Sequence, residues 1–166
     1  ADESTRTAHS GDKWFAEHSP EVVVFAQNTG QISRLLRFAS ENKVPVTARG
    51  AGFGYVGGCV PVRGGIALSL ARMNRIKEIS FGDAIAVVEP GVITGELQAA
   101  ARAQRLLYPP DPASLHYCSI GGNVATNAAG PRCPKYGVTR HYIIGLEVTL
   151  ATGPILRTGA PCTKQK

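Results

Sequence analysis

Charge, metal-ligand patterns and long apolar runs are all scarce in this sequence. Only 18% of the 166 residues are charged, a share that suits buried strands and many loops rather than a disordered or highly solvated chain. No apolar run approaches the length of a bilayer span, which sets aside a membrane-crossing reading. Residues 1–13 are polar and lack the apolar centre of a signal peptide, so residues 1–19 read as a loosely held N-terminal lead-in. Cys59, Cys118, Cys133 and Cys162 lie far apart, with no C-x-x-C, and His9, His18, His116 and His141 are scattered. That pattern nominates no metal ligands and reads as reduced thiols in a cytoplasmic protein. Lys and Arg are not interleaved with aromatics in any nucleic-acid-reading motif, so no nucleic-acid partner is expected.

The chain does have the means to bury a core, with 43% hydrophobic residues. Its 19 Gly and 11 Pro carry no period. They point to many loops with special backbone angles rather than to a fibrous or linker sequence. The net charge of +6 is concentrated late. From Ala113 onward the bases Arg132, Lys135, Arg140, Arg157, Lys164 and Lys166 face one acid, Glu147. A small anionic ligand, an acidic partner surface and a solvated basic face all fit that excess.

Val22–Ala26 is a β-branched apolar run and reads as a buried strand. Thr29 offers an N-cap, and Ile32, Leu35, Leu36 and Ala39 recur at helical spacing, predicting a helix over Gly30–Asn42. Strands are predicted at Val44–Ala48, Ile66–Leu70, Ile85–Glu89 and Ile143–Leu150. Thr94 is expected to cap a helix reaching Gln104, and a short helix is expected within Ser119–Ala129, ending at Gly130. Thr152-Gly153 turns the last strand toward Ile155-Leu156-Arg157. Strand–helix alternation followed by strand pairs is an α+β layout with a partly parallel start.

The most distinctive segment is Arg49-Gly50-Ala51-Gly52-Phe53-Gly54-Tyr55-Val56-Gly57-Gly58, which follows a predicted strand. Glycines let successive backbone N–H groups turn inward, and a concave row of donors binds an anion. A long hairpin connection is the plainer alternative. A Rossmann turn needs a helix directly behind G-x-G-x-x-G. Here Gly57, Gly58 and Pro61 oppose a helix start, and no Gly-Lys-Ser/Thr follows as in a Walker loop. The donors must therefore come from the loop itself.

A second cluster runs through Pro110-Asp111-Pro112-Ala113-Ser114 and then from Cys118 to Gly130, rich in small and neutral hydrogen-bonding residues. It suits either close contact with a flat polar ring or tight helix packing. A third, Lys135-Tyr136-Gly137-Val138 followed by Gly145-Leu146-Glu147-Val148, is weak by itself.

Together, several motifs in order carry a resemblance. They are Pro45-Val46-Thr47-x-Arg49-Gly50-x-Gly52, Gly57-Gly58, Glu89-Pro90-Gly91-Val92, Pro109-Pro110-Asp111-Pro112, Ile120-Gly121-Gly122-Asn123-x-Ala125-x-Asn127, Lys135-Tyr136-Gly137 and Gly145-Leu146-Glu147-Val148. From about Pro20 onward the sequence resembles the FAD-binding (PCMH-type) domain of the vanillyl-alcohol oxidase/p-cresol methylhydroxylase superfamily. Within it, the group of glycolate oxidase and FAD-linked D-lactate dehydrogenase is nearest. The resemblance implies an α+β domain over residues 20–166. A small, partly parallel sheet subdomain would be followed by a mixed or antiparallel one with flanking helices. It implies that Arg49, Gly50, Ala51, Gly52, Phe53, Gly54, Gly57 and Gly58 hold the FAD diphosphate. Pro110, Asp111, Ser114, Cys118, Gly121, Gly122, Asn127 and Gly130 would line the ribityl and isoalloxazine region, Tyr136 and Gly137 would close that wall, and Arg132 would add positive charge. Glu89–Val92 and Glu147-Val148 would lie toward the adenine. Members that tether the flavin use a histidine in the glycine loop. Phe53 stands at the matching position and no histidine lies between Ala48 and Pro61, which implies non-covalent FAD.

The implied activity is oxidation of a 2-hydroxy acid such as glycolate or D-lactate. Family members are far longer, and their substrate (cap) domain, which carries the substrate-binding residues, is not in this sequence. No catalytic base is nominated, the domain is expected to be incomplete, and the chain alone is expected to be inactive and a weak FAD binder. The substrate would meet the missing domain, with partner subunits or an electron acceptor beyond it. The implied setting is cytoplasmic, or peripheral to a membrane within a complex. Two other readings stay open. One is another member of the superfamily, a sugar or alditol oxidase or an NADPH-dependent cell-wall precursor reductase. The other is a non-catalytic FAD-binding subunit.

Overall fold

The structure is a computed structural model and describes residues 2–159. The chain divides into two compact units, one running to Met73 and including Thr149–Leu156, the other comprising Asn74–Val148 with the residues from Arg157.

In the first unit, β1 (Val22–Phe25), β2 (Val46–Arg49) and β3 (Ile66–Ser69) form one parallel sheet in the order β1-β3-β2. Val22 and Val46 both pair with Ile66. β3 is central and buried along its whole length, which is why its sequence is continuously apolar up to Ser69. The helix α2 (Thr29–Glu41) makes the crossover from β1 to β2. It is capped by Asn28, whose side chain accepts from the Gln31 N–H at 3.0 Å, one residue ahead of the expected Thr29 cap. Ile32 and Leu35 of α2 pack with Val24, Val46 and Leu70 around the buried Ala26, Leu68 and Met73. The connection from β2 to β3 contains no helix. The glycine loop itself makes that crossover, leaving from the carboxyl end of β2.

The stretch ahead of Pro20 is folded rather than loosely held. Helix α1 (Glu3–Ala8) is capped by Asp2, whose Oδ1 accepts from the Thr5 N–H at 2.8 Å. Gly11 then bridges to Glu17 in antiparallel fashion. Ser10 is buried, and its hydroxyl donates to the Thr7 carbonyl and to Glu17 Oε1. Turn and helix form here because short polar residues supply their own caps, a local signal that outweighs the missing apolar periodicity.

The second unit opens with an antiparallel pair, β4 (Ile76–Ser80) and β5 (Ile85–Val88), with a bulge between Ile76 and Glu78. The sequence does not announce β4, because exposed Lys77 and Glu78 interrupt its apolar pattern. Helices α3 (Thr94–Ala103), α4 (Ile120–Thr126) and α5 (Cys133–Tyr136) follow, then a 3-10 turn at Thr139–Tyr142. Val92, Leu97 and Ile120 are the buried centre, with Ile76, Val88, Tyr108 and Val124 packed on it. β6 (Gly145–Thr149) and β7 (Ile155–Gly159) pair as a hairpin. The α+β layout, parallel first and antiparallel second, is the one expected. Among the described residues no helix is long and apolar enough to cross a membrane. Cys59, Cys118 and Cys133 are free thiols, while Cys162, Lys164 and Lys166 lie outside the described residues.

Candidate cofactor-binding site

The expected site residues fall in both units. In the first unit the glycine loop leaves β2 at Arg49. Gly52 and Gly57 adopt positive φ, at 77° and 73°, and these turns aim neighbouring amides to one side. The N–H groups of Gly50, Ala51, Gly52, Gly54 and Gly58 have no partner among the described residues. These residues are half-buried or, at Gly58, exposed, so the donors are open to solvent and available to an anionic acceptor. A Cβ added at Gly54 or Gly58 would meet nothing within 4 Å. Neither of these glycines has the left-handed backbone seen at Gly52 and Gly57. Local backbone geometry and neighbouring protein atoms thus give no reason for glycine there, whereas close approach of a ligand to bare backbone does. The loop therefore fits an anionic group such as a diphosphate.

Two loop residues behave differently from the expectation. The guanidinium of Arg49 lies against Gly52, where an added Cβ would collide with it, and its donors are spent on main-chain carbonyls: Nη1 donates to the Gly11 carbonyl at 2.5 Å and Nη2 to the Ala8 carbonyl at 3.4 Å. The Gly57 N–H is already engaged, donating to Asp12 Oδ2 at 2.9 Å. Phe53 is half-buried, with Lys13 Nζ 5.4 Å from its ring centre.

In the second unit the wall is built from polar side chains that satisfy one another. Thr94 does not cap α3. Ile93 takes the cap position without a side-chain bond, and Thr94, fully buried, turns its hydroxyl inward. That hydroxyl donates to the Cys118 carbonyl at 3.2 Å, and Asn123 Nδ2 donates to it at 2.6 Å. The Cys118 thiol also points to it, at 3.3 Å. Cys118 is buried, so its sulfur packs within the unit instead of lining a surface. Gln98 Nε2 donates to the Pro110 carbonyl at 2.8 Å. Thr94, Gln98 and Asn123 thereby fix the segments that carry Pro110, Cys118 and Gly121. Their long-range roles have no local signal in the sequence.

Gly121 and Gly130 answer a question the sequence leaves open. A Cβ at Gly121 would lie 2.6 Å from Pro90 Cβ, and one at Gly130 would collide with the Asp111 carbonyl oxygen. These glycines permit tight packing of backbone on backbone. Gly122 is less crowded, with only Ser119 Oγ nearby at 3.3 Å. α4 ends at Asn127 in the left-handed conformation, ahead of the expected Gly130. The Asn127 side chain then accepts from the Arg140 N–H at 3.0 Å. Ser114 contributes through its carbonyl, which accepts from the N–H groups of Tyr117 and Cys118. Arg132 pairs with Asp111 at 3.1 Å, so its positive charge is compensated within the unit. Tyr136 is exposed along one edge, its carbonyl accepts from the Tyr142 hydroxyl, and Gly137 turns the chain against His141.

Both carboxylates expected toward the adenine are committed to arginines. Glu89 is 3% exposed and takes bonds from the Arg75 side chain, the nearest at 2.8 Å, and from the Arg75 N–H at 3.0 Å. These bonds, the side-chain one first, hold its carboxyl below the usual range. Glu147 pairs with Arg157 at 2.9 Å. One buried side-chain polar atom, the Tyr108 hydroxyl, has no partner among the described residues. Burial, followed by Cys118 and Tyr142, pushes this phenol up to about 12.

Residues 20–159 match the family described as an FAD binding domain. The chain is 47% identical over 145 residues to glycolate oxidase subunit GlcD of Bacillus subtilis, covering 87% of this chain and 31% of that protein. It is 41% identical over 150 residues to D-lactate dehydrogenase of Anaerostipes hadrus, covering 90% of this chain and 31% of that protein. The fold superposes on an alkyldihydroxyacetonephosphate synthase with a TM-score of 0.84 at 22% identity, covering 96% of this chain and 34% of that one. The chain thus spans about a third of the length of the curated relatives it matches.

Proposed function

The chain belongs to the FAD binding domain family, and from that premise we propose that it is the cofactor-holding part of a flavoenzyme oxidising a 2-hydroxy acid such as glycolate or D-lactate. One observation carries the cofactor part: the loop after β2 presents unpaired N–H groups with open space over Gly54 and Gly58. The similarity to proteins named glycolate oxidase and D-lactate dehydrogenase supports the substrate class. Bound FAD supplies an acceptor for a hydride equivalent, chemistry that no side chain offers. This chain's own work is to bind and orient. Gly50, Ala51, Gly52, Gly54 and Gly58 would donate to the diphosphate. The segments around Pro110, Ser114, Gly122 and Tyr136 would face the ribityl and ring portions, over the frame set by Thr94 and Asn123. Asp111 and Arg132 would hold one another in that wall and add little net field.

Phe53 in place of a histidine supports non-covalent attachment. The three free thiols support a cytoplasmic setting, and the substrate and electron-acceptor contacts would come from protein outside this sequence. The test is direct. Mixing the 166-residue chain with FAD should quench flavin fluorescence, and acid precipitation should leave a yellow supernatant. A colour that stays with the pellet overturns non-covalent binding, and flavin left unquenched both by this chain at high FAD and by a longer protein containing the domain overturns the loop as its site. For the substrate, a longer protein containing this domain should reduce a dye with D-lactate or glycolate; turnover of a sugar alcohol instead would move it to another branch.

A further inference from the structure

We infer that residues 8–13 are a strap that holds the glycine loop in its binding shape, with Asp12 and Arg49 as positioning residues. The inference rests on the reading of that loop as the diphosphate site. Asp12 lies 45 positions before Gly57, yet its Oδ2 accepts from the Gly57 N–H at 2.9 Å. Its Oδ1 accepts from the Trp14 N–H at 2.8 Å, so both carboxylate oxygens are in use. The Lys13 N–H donates to the Gly54 carbonyl at 3.0 Å. From the other side, the Arg49 guanidinium grips the Gly11 and Ala8 carbonyls and touches Cys59 Sγ at 3.4 Å. Strap and loop are thus stitched at both ends of the loop and at Gly54.

The strap is itself folded. Buried Ser10 ties it to Thr7 and Glu17, and the His18 N–H returns to the Ser10 carbonyl at 2.9 Å. The Trp14 ring meets Tyr55 edge-on at 6.0 Å. A loop with this many glycines loses much freedom when it is ordered. If only a fraction of molecules hold the binding shape, apparent affinity falls by that fraction. Contacts made before the ligand arrives remove that loss.

An anion resting on a loop N–H has a second meaning, that of a stand-in competing with the diphosphate. The geometry favours the strap. Asp12 takes the Gly57 donor alone and leaves those of Gly50, Ala51, Gly52, Gly54 and Gly58 unpaired. It does not cover Gly54 or Gly58, whose Cβ positions are open.

Amide exchange and FAD titration of the 166-residue chain test this. Without FAD, the Gly57 amide should be protected while those of Gly50, Gly52, Gly54 and Gly58 exchange quickly; adding FAD should protect the latter. Asp12→Ala should speed Gly57 exchange and weaken FAD binding roughly tenfold, about the effect of one charge-assisted hydrogen bond. Asp12→Asn, which keeps an acceptor oxygen, should restore affinity to within about threefold of the original. Arg49→Gln, which shortens the fork, should weaken binding in the same direction and serves if Asp12→Ala melts the unit. Gly57 exchange that is indifferent to Asp12 overturns the strap. Tighter FAD binding by both Asp12 variants overturns it in favour of competition. Protection at Gly57 that depends on Asp12, in a chain that FAD neither protects nor quenches, overturns the diphosphate reading and the cofactor role of the strap, leaving the contact purely structural.

Discussion

Gly54 and Gly58 stand in open space, whereas Gly121 and Gly130 stand hard against the backbones of Pro90 and Asp111. The two glycine-rich regions look alike in sequence and are built on opposite principles. Around the loop, the N–H groups of Gly50, Ala51, Gly52, Gly54 and Gly58 are left unpaired among the described residues, and the space over Gly54 and Gly58 is open. In the wall, polar groups find partners inside the unit: Thr94 with Cys118 and Asn123, Gln98 with Pro110, Asp111 with Arg132. An unpaired donor adds nothing to stability until a ligand meets it, and a closed network adds nothing to affinity except by keeping its surface in place. On the proposed reading the first region is a binding element and the second a frame.

The contrast can be broken at several points. The largest effect is expected from Gly130→Ala, because its Cβ collides with a main-chain carbonyl that can move only with Pro110–Pro112. It should destabilise the chain by about 3 kcal/mol in denaturant unfolding; a wild-type midpoint would remove the packing explanation. Thr94→Val keeps the shape but strands the buried Asn123 amide. A loss of about 2 kcal/mol is expected, and a neutral result would show that the network closes without its hydroxyl.

Gly58→Ala should leave the unfolding midpoint within about 0.5 kcal/mol of wild type, as for an uncrowded surface site. In FAD titration it should lose about tenfold in affinity, or ~1.4 kcal/mol. Unchanged affinity would make Gly58 an ordinary loop glycine. Acid should act on the second unit through Glu89. Its folded-state pKa is lowered, so its contribution is present above the unfolded value near about 4.3 and is lost as pH falls through the folded value. Stability measured from about pH 6 downward should decline below that point, and Glu89→Gln should flatten the decline. The smallest effect is expected from Tyr108→Phe. The hydroxyl has no partner to lose among the described residues, so the midpoint should stay within about 0.5 kcal/mol or rise; a clear loss would mean that the hydroxyl does have a partner.

Much of this is legible in the residues alone. Val22–Phe25 and Ile66–Ser69 lie where continuous apolar runs place strands; for central β3 the reason is that a parallel strand covered on both faces needs no polar alternation, while β1 at the edge is only partly covered. The glycine loop lies between β2 and β3, as the glycines and Pro61 require. Elements stabilised by distant partners are not legible. β4 hides behind Lys77 and Glu78, and α1 is built from polar residues. Thr94 reads as a cap from its place before an apolar stripe; in the fold, a buried carbonyl and a buried amide claim its hydroxyl instead. Arg132 reads as charge for a cofactor, but its nearest anion is Asp111, 21 positions earlier.

The sequence by itself determined the class of fold, the order of its apolar strands and of helices α2 to α4, and the loop that offers backbone donors. Composition, periodicity and glycine placement act over a few residues and need no tertiary knowledge. Only the tertiary structure decided what each glycine is for and which polar side chains are already satisfied. Gly54 and Gly121 are the same residue with the same local freedom. Pro90 crowds one and nothing crowds the other, and that difference belongs to chain segments brought together by folding.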